Sequence, residues 1–495
     1  HRDLHSFPTR RSSDLAAAEL QNAAVGGSLK IRGNYLNLEK NDASFIEQRT
    51  QLNVKADFTN DVSAFIELDS YDIWGEDFRS NYLTGADGRA VSGDDVELYQ
   101  AYVQVKNLWG LPLSSKTGRQ ELVFGSGFVL GNNSASAYFT GLSYDASHWT
   151  YATDMFTVDA FSAKLAETFG DFAKDDINLN GIYASYLGIE DVTIDGYWLY
   201  VSDDDVLLGD DVKYHTFGLR GAGTLGAFDF DVEAAYQFGS IDGQPSACPF
   251  GFGEADVDYS AWAGNLVAGY TFDAAWQPRV FVLGAYFGGA DYDDSLWSND
   301  RDLAFNRLFS DVEYSEFLDN DGANLSNFWM AGLGVQVMPT EAVTLKLVGK
   351  YFDTVEDGGD FDCFLFDNDN SGDALGWEVG LYGDYRYSED LTIRAGYAHF
   401  FGDFGQRTIF VAVQTKGFAL LIGQQPAVTG QQRAQLHALF QPIFRLLRVG
   451  HGAHPFRTCQ GFLLNSLCSI AQAVLTVKRF TLTGLRNRSP VRARF

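Results

Sequence analysis

Lys and Arg recur in this sequence at alternate positions within apolar stretches, a spacing that sets fixed positive charge along one face of a strand. Lys30 and Arg32 are the first such pair, followed by Arg49 and Lys55, then Lys346, Lys350, Arg386 and Arg394. Ammonium and guanidinium groups in rows suit no acid–base reaction. They suit the attraction of an anion, because fixed charge on the wall of a passage raises the local counter-ion concentration. These eight residues fall in the first two and last three strands read from the sequence. If the sheet closes on itself they become neighbours and form one basic stripe. Carboxylates share the same faces: Glu47, Asp57, Glu378 and Asp384 interrupt the stripe, and Glu67, Asp69, Asp195, Asp229, Asp231 and Glu233 make the opposite wall acidic. Two readings therefore stand, a conduit for a polyanion and the mixed-charge lumen of a general porin.

Other residue sets point to weaker chemistry. Asp367, Asp369, Ser371, Gly372 and Glu378 reproduce the spacing of a calcium loop, with Asp367, Asp369 and Asp373 as the candidate ligands of a structural calcium. No helical pattern flanks them, and a solvated acidic loop has the same composition. No other cofactor is expected. Cys248 and Cys363 lie in long loops on one rim and are candidates for a disulfide in an oxidising setting. Cys459 and Cys468 lie in the C-terminal tail. The histidines between the two ends are His148, read as a turn residue, His215 and His399. None stands beside a Ser and a carboxylate in a recognisable nucleophile arrangement. The expectation is a protein that is not an enzyme, with no catalytic residues.

The elements that carry these charges read as strands. Phe228, Phe230, Val232, Ala234, Tyr236 and Phe238 alternate with Asp229, Asp231, Glu233, Ala235 and Gln237. Leu52, Val54, Ala56 and Phe58 oppose Arg49, Gln51, Asn53, Lys55 and Asp57, and Trp377, Val379 and Leu381 oppose Glu378, Tyr382, Asp384 and Arg386. A soluble sandwich shows the same alternation, so the connections must decide. They alternate between tight links, such as Thr59–Asn60, His148–Trp149 and Gly188–Glu190, and long ones, such as 75–95, 121–136, 240–258 and 289–326. That rhythm belongs to an outer-membrane barrel, with turns on one rim and loops on the other. Forty phenylalanines, 24 tyrosines and 9 tryptophans supply the aromatic girdles of such a wall. The expected fold is all-β, a transmembrane antiparallel up-and-down β-barrel of about 18 strands. Seventeen are read in the sequence, from about Ser28 to Asp403, including 137–147 and 150–164 around the His148–Trp149 turn. The last strand is lost or replaced, with Thr408–Leu421 as an imperfect substitute, since an unpaired strand edge in lipid costs several kcal/mol per group, at roughly that order.

The ends differ from this body. Residues 1–15, HRDLHSFPTRRSSDL, resemble a translated sequencing adapter and are set aside as disordered. Residues 16–27 read as a signal-cleavage remnant and mature N-terminus, with the native signal peptide missing. After Asp403 no acidic residue occurs, so the stretch 405–495 is a basic tail, carrying 12 Lys and Arg with no counter-charge. It reads as non-native or frameshifted; nucleic acid is not among the expected partners. The barrel itself spans 28–404.

Against this background, Leu98–Gly131 resembles the signature region of the alginate-export family. The residues that carry the resemblance are Ala101-Tyr102, then Gly118, Arg119, Gln120, Glu121 and Leu122, then Gly125 and Gly131, with GGSLKIRGNY and EQRTQL resembling its first strands. The resemblance implies an eighteen-stranded monomeric outer-membrane channel passing an anionic or neutral polysaccharide or oligosaccharide by diffusion. It sets Arg119 in the lumen, beside a constriction formed by 121–136. The alternative is a general or substrate-specific porin for small solutes; a barrel-embedded lipid hydrolase or a structural adhesin ranks below both. Expected partners are outer-membrane lipid and lipopolysaccharide, the barrel-assembly machinery and the solute, in the outer membrane of a Gram-negative-type bacterium.

Overall fold

The computed structural model describes residues 20–37, 42–75, 96–133, 140–167, 176–205, 210–242, 257–292, 301–318, 325–356, 375–401 and 407–416. The adapter-like segment, Cys248, Cys363, the calcium candidates Asp367, Asp369 and Asp373, and the tail beyond 416 lie outside the described residues.

The strands are β1 (Leu20–Asn37), β2 (Asp42–Phe58), β3 (Val62–Ile73), β4 (Glu97–Val105), β5 (Leu113–Gln120), β6 (Tyr144–Ala152) and β7 (Phe156–Ala166). They continue with β8 (Ile177–Ile189), β9 (Val192–Asp205), β10 (Asp210–Leu225), β11 (Phe228–Asp242), β12 (Val257–Thr271) and β13 (Arg279–Phe287). Two short pieces follow, β14 (Asp291–Tyr292) and β15 (Arg301–Leu303), then β16 (Phe328–Thr340), β17 (Val343–Thr354), β18 (Gly376–Ser388), β19 (Leu391–Phe401) and β20 (Arg407–Lys416). Each long strand pairs antiparallel with its successor, and β13 passes directly to β16. Tight connections hold this up-and-down order. Between β2 and β3, Asn60 (φ 63°) and Asp61 (φ 58°) both occupy the left-handed region, the type I′ geometry whose twist matches a hairpin.

The alternation read from sequence becomes two faces of opposite character. One face exposes Leu219, Trp262, Leu333, Leu347 and Trp377, each more than half exposed. The other carries buried polar groups, among them Glu47, Arg49, Glu67, Asp69, Asp195, Glu233, Gln237 and Glu378. We call these the outer and inner faces. No helix among the described residues is long and apolar enough to cross a membrane, which does not bear on crossing by strands.

Three expectations are corrected. The expected closed barrel, its last strand lost or replaced, is corrected to eighteen long antiparallel strands in up-and-down order whose sheet is not closed into a barrel. The eighteenth is β20, which overlaps the Thr408–Leu421 segment expected as its substitute. It pairs with β19 from Leu391 to His399, but with β1 only over Ser28–Asn37. Among the described residues, the lower part of β1, Leu20–Gly27, has its strand pairing with β2. The turn expected at His148–Trp149 lies instead at Thr153–Met155, where the Thr153 hydroxyl accepts hydrogen bonds from the Met155 and Phe156 amides. His148 is consequently mid-strand, on the inner face of β6, in register with Lys116 and Phe161. The strand expected from Ser28 begins at Leu20, because GlyGly at 26–27 continues the pairing with β2 and does not break it.

Candidate functional site

Two irregular segments leave the rim and fold against the inner face: residues 121–133, after β5, and residues 304–318, between β15 and β16. They meet backbone to backbone. The Gly131 amide donates to the Phe309 carbonyl (2.8 Å), the Phe309 amide to the Val129 carbonyl (3.0 Å) and the Asp311 amide to the Gly127 carbonyl (2.7 Å). Leu130 and Phe309 form a parallel bridge. Glycine is needed here for space: a Cβ on Gly127 or Gly131 would collide with the Asp311 side chain, and Gly127 also has φ +76°.

Side chains from the wall fix both segments. Gln237, fully buried, donates its amide to the Asn306 carbonyl (2.7 Å) and accepts from the Asn306 amide (2.8 Å). Such a two-way bond lets one side chain stand in for a strand neighbour. Ser126 donates to Glu233 (3.0 Å), and Tyr144 to the Gly131 carbonyl (2.9 Å). Lys350 donates to the Tyr314 carbonyl (2.7 Å) and to Glu378 (2.9 Å), which also accepts from the Ser315 hydroxyl (2.6 Å). The Glu316 carboxyl, in the inward segment, is held above the ordinary carboxylate range, chiefly by burial and then by the nearby Glu378.

On one side the space between segments and wall is filled with aromatic rings. Phe287, Phe328, Phe352 and Phe400 project inward from β13, β16, β17 and β19 and meet Phe128, Phe305 and Tyr314, all at most 3% exposed. Their centroids stand 5.2 to 6.3 Å apart in stacked, tilted and edge-on contacts. Each fully buried Phe contributes about 1.5–3 kcal/mol. Arg307, 5% exposed, lies over Phe287 (5.3 Å) and Tyr314 (5.1 Å) and donates to the Val312 carbonyl (2.5 Å), so ring faces and backbone oxygens together hold its charge.

The register brings the basic residues of the seam together. Arg394 and Arg32 both stand opposite Ala412, one strand on either side of β20, which sets their backbones about 10 Å apart. Asp384 flanks Arg394 (2.6 Å) and Glu47 flanks Arg32 (2.5 Å). In the adjacent row Lys30 stands opposite Gln414 and next to Arg49. Gln414 in turn stands opposite Thr392, the register partner of Arg386. Arg49 pairs with Asp69 (2.6 Å) and its guanidinium lies over Tyr99 (5.0 Å). Lys346 adjoins this group, with its ammonium over Phe281 (5.7 Å) and Tyr382 (5.4 Å). Lys350 sits higher, on Glu378, and Lys55 lies towards the tight-turn rim, 3.1 Å from Asp57.

The acidic wall has cations of its own. Arg220 pairs with Asp195 (2.8 Å) and Asp231 (2.7 Å) and stands 3.8 Å from Glu233. Arg279 is bidentate on Asp229. Sequence reasoning named these carboxylates but neither arginine. Arg220 was legible as an inward position in LRGAG, whereas Arg279 follows a turn proline and Arg307 sits in a segment with no periodicity.

The family-like motif serves structure more than passage. Gly118 (φ +125°) lies against the Ala101 carbonyl, where a Cβ would collide. Gln120, fully buried, donates to the carbonyls of Lys116, Gly118 and Ala146. Gly125 lies against Tyr183 and Arg220. Glu121 accepts from the Tyr99 hydroxyl (2.6 Å), which a register shift between β3 and β4 turns inward. Arg119, expected in the lumen, lies on the outer face. It stands in register with Ala101 and Asp145, is bidentate on Asp145 (2.8 and 2.9 Å), and shares its row with Lys164. At this rim a charge is tolerated on the outer face because the apolar band ends below it.

Among the described residues no group of three or more His, Cys, Asp or Glu could hold a metal ion. The sequence profile described as alginate export matches residues 22–413. No curated protein matches the chain. Among solved structures, OccK8 (OprE) of Pseudomonas aeruginosa is similar with a TM-score of 0.51 at 13% identity, covering 82% of this chain and 100% of that one. OprD, an outer membrane protein of the same organism, gives 0.51 at 15%, covering 82% and 96%. OccK11 (OpdR), also of Pseudomonas aeruginosa, gives 0.51 at 12%, covering 82% and 98%. At these identities the likeness is one of fold, and the fold is porin-like.

Proposed function

The chain belongs to the alginate-export family, and from that premise we propose that it is a porin-like channel of a Gram-negative-type outer membrane, passing small polar solutes by diffusion. The exposed apolar outer face suits lipid, and the polar inner face suits a hydrated path. One observation carries the preference for small solutes over a polymer. The segments 121–133 and 304–318 are mated to each other, and packed aromatic side chains fill the space beside β13 to β19. What remains for passage is the polar part of the cross-section.

A second reading rests on the seam rows. Lys30, Arg32, Arg49, Arg386 and Arg394 outnumber the carboxylates Glu47 and Asp384 in their rows and Asp69 in the next, which favours anionic solutes, including anionic oligosaccharides. Planar-bilayer recording and vesicle uptake with the purified chain separate the readings. The expected result is steady conductance and uptake of mono- and disaccharide-sized solutes, with exclusion of a long polyuronate. Rapid polyuronate passage would return the polysaccharide reading to first place. Absence of conductance together with absence of uptake would remove the channel.

A further inference from the structure

Beneath residues Glu121–Phe124, on the tight-turn side of the inward segment, a cleft of ≈ 370 Å³ opens between that segment and the inner faces of β4, β5 and β6. Its floor is a grid set by register: Gln104, Lys116 and His148 form one row, and Ser114 and Thr150 lie in the next. Glu121 and Phe124 line its upper edge. We propose that this cleft is a binding subsite for a small monocarboxylate that carries a hydrogen-bond donor, such as a hydroxyl, a few ångströms from its carboxylate.

The argument starts from an ion pair that does not form. Several cations of the inner face close onto carboxylates, Arg49 on Asp69 at 2.6 Å, Lys350 on Glu378 at 2.9 Å and Arg220 on Asp195 at 2.8 Å, while Lys346 lies over rings. Lys116 and Glu121 line the same cleft, yet no ion pair joins them among the described residues. The Lys116 ammonium lies over the Tyr102 ring instead, 4.4 Å from its centroid. One Glu121 oxygen accepts from Tyr99 at 2.6 Å. A cation and an anion facing one cavity from different sides favour a guest with an acceptor end and a donor end. A carboxylate meets Lys116 in a charge-assisted hydrogen bond; a hydroxyl donates to Glu121, and Gln104 and Ser114 offer further donors and acceptors. The Glu121 charge disfavours a dianion such as phosphate, and Phe124, stacked between Phe161 (5.3 Å) and Tyr183 (4.9 Å), gives the guest a fixed apolar side. His148 is held by Asp159 at 2.8 Å, which fixes the end of the floor.

This subsite deepens the small-solute reading and relies on it only for the current-block readout. The probe is D-gluconate, compared with neutral D-gluconamide, acetate and inorganic phosphate. In planar bilayers, gluconate is expected to interrupt the current of the native channel at concentrations at least tenfold below gluconamide or phosphate. Lys116→Gln should remove that advantage, Lys116→Arg should keep most of it, and Glu121→Gln should weaken gluconate while leaving acetate unchanged. Equal block by gluconate and gluconamide in a conducting native channel overturns the subsite without touching the channel. If the native chain does not conduct, the channel reading falls, and calorimetric titration of the detergent-solubilised full chain with gluconate decides the subsite alone. Binding that is the same in native chain and Lys116→Gln overturns it. Should Lys116→Gln fail to assemble, the gluconate–gluconamide contrast in the native chain still decides.

Discussion

The seam and the far wall use the same residue types in opposite proportions. At the seam, five cations occupy two rows with two carboxylates and a third in the next row, and the closest pairs are one to one: Arg32 with Glu47, Arg394 with Asp384, Arg49 with Asp69. On the far wall a single guanidinium, Arg220, serves Asp195, Asp231 and Glu233. The seam therefore keeps a surplus of positive charge, and the far wall a surplus of negative charge gathered mainly on Arg220, while Arg279 holds Asp229. The lesson is that an inner face can be polarised across its width even where its closest charges stand in pairs. Which residues are expendable follows from those proportions, since a surplus charge sets a field and a shared one holds a structure.

The largest expected effect is at Arg220. Arg220→Met strands Asp195 and Glu233, 2% and 3% exposed, beside Asp231. Leaving buried carboxylates uncompensated costs about 3–5 kcal/mol. The folded, heat-modifiable band on gels should be lost at a clearly lower temperature; an unchanged transition would mean that the far wall does not depend on Arg220. The seam should behave differently. Arg386→Glu with Arg394→Glu, both at exposed positions, is expected to keep the fold and to reverse the sign of the zero-current potential in a salt gradient, with permeability ratios changing on the order of tenfold. Collapse of the fold, or an unmoved potential, would break the contrast between field-setting and structural charge.

A smaller effect is expected at Glu316, whose carboxyl is raised by burial beside Glu378. A carboxyl raised in the folded state contributes stability that is full below its ordinary value of 4.5 and is lost as pH rises through the folded value. Glu316→Gln should therefore raise the unfolding temperature at neutral pH and leave it nearly unchanged below pH 4.5; the opposite order would place the carboxyl outside the buried site. The smallest effect belongs to Arg119→Ala. Its pair with Asp145 is about half exposed on the outer face, so stability should fall by less than about 1 kcal/mol and the zero-current potential should not move. A shift in that potential would put Arg119 back on the solute path.

Most of the sheet was legible because alternation is a local signal. The inward set from Glu47 to Asp57 and the set from Glu378 to Arg386 read directly from sequence, and the register then joined them across β20. The misreadings have physical causes. Arg119 looked inward because it is charged, yet Lys116, Gly118 and Gln120 alternate with it and hold the inner face. His148-Trp149 looked like a break, although Thr153 supplies the actual turn through its hydroxyl. The segment 304–318 could not be read at all. Its position depends on Gln237, Glu378 and Gly131, each remote in sequence, and no local pattern encodes such contacts.

The bridge between Leu130 and Phe309 joins residues about 180 positions apart. Contacts of such high order require that the intervening chain be gathered first, and loop closure makes them late and entropically costly steps. The narrowing of the passage is thus expected among the last events of assembly, after strands β6 to β13 have zipped. Until then the inner face would stay uncovered, and any selection by size that the proposed channel makes would begin only when the two distant glycine-lined and aspartate-bearing segments find each other.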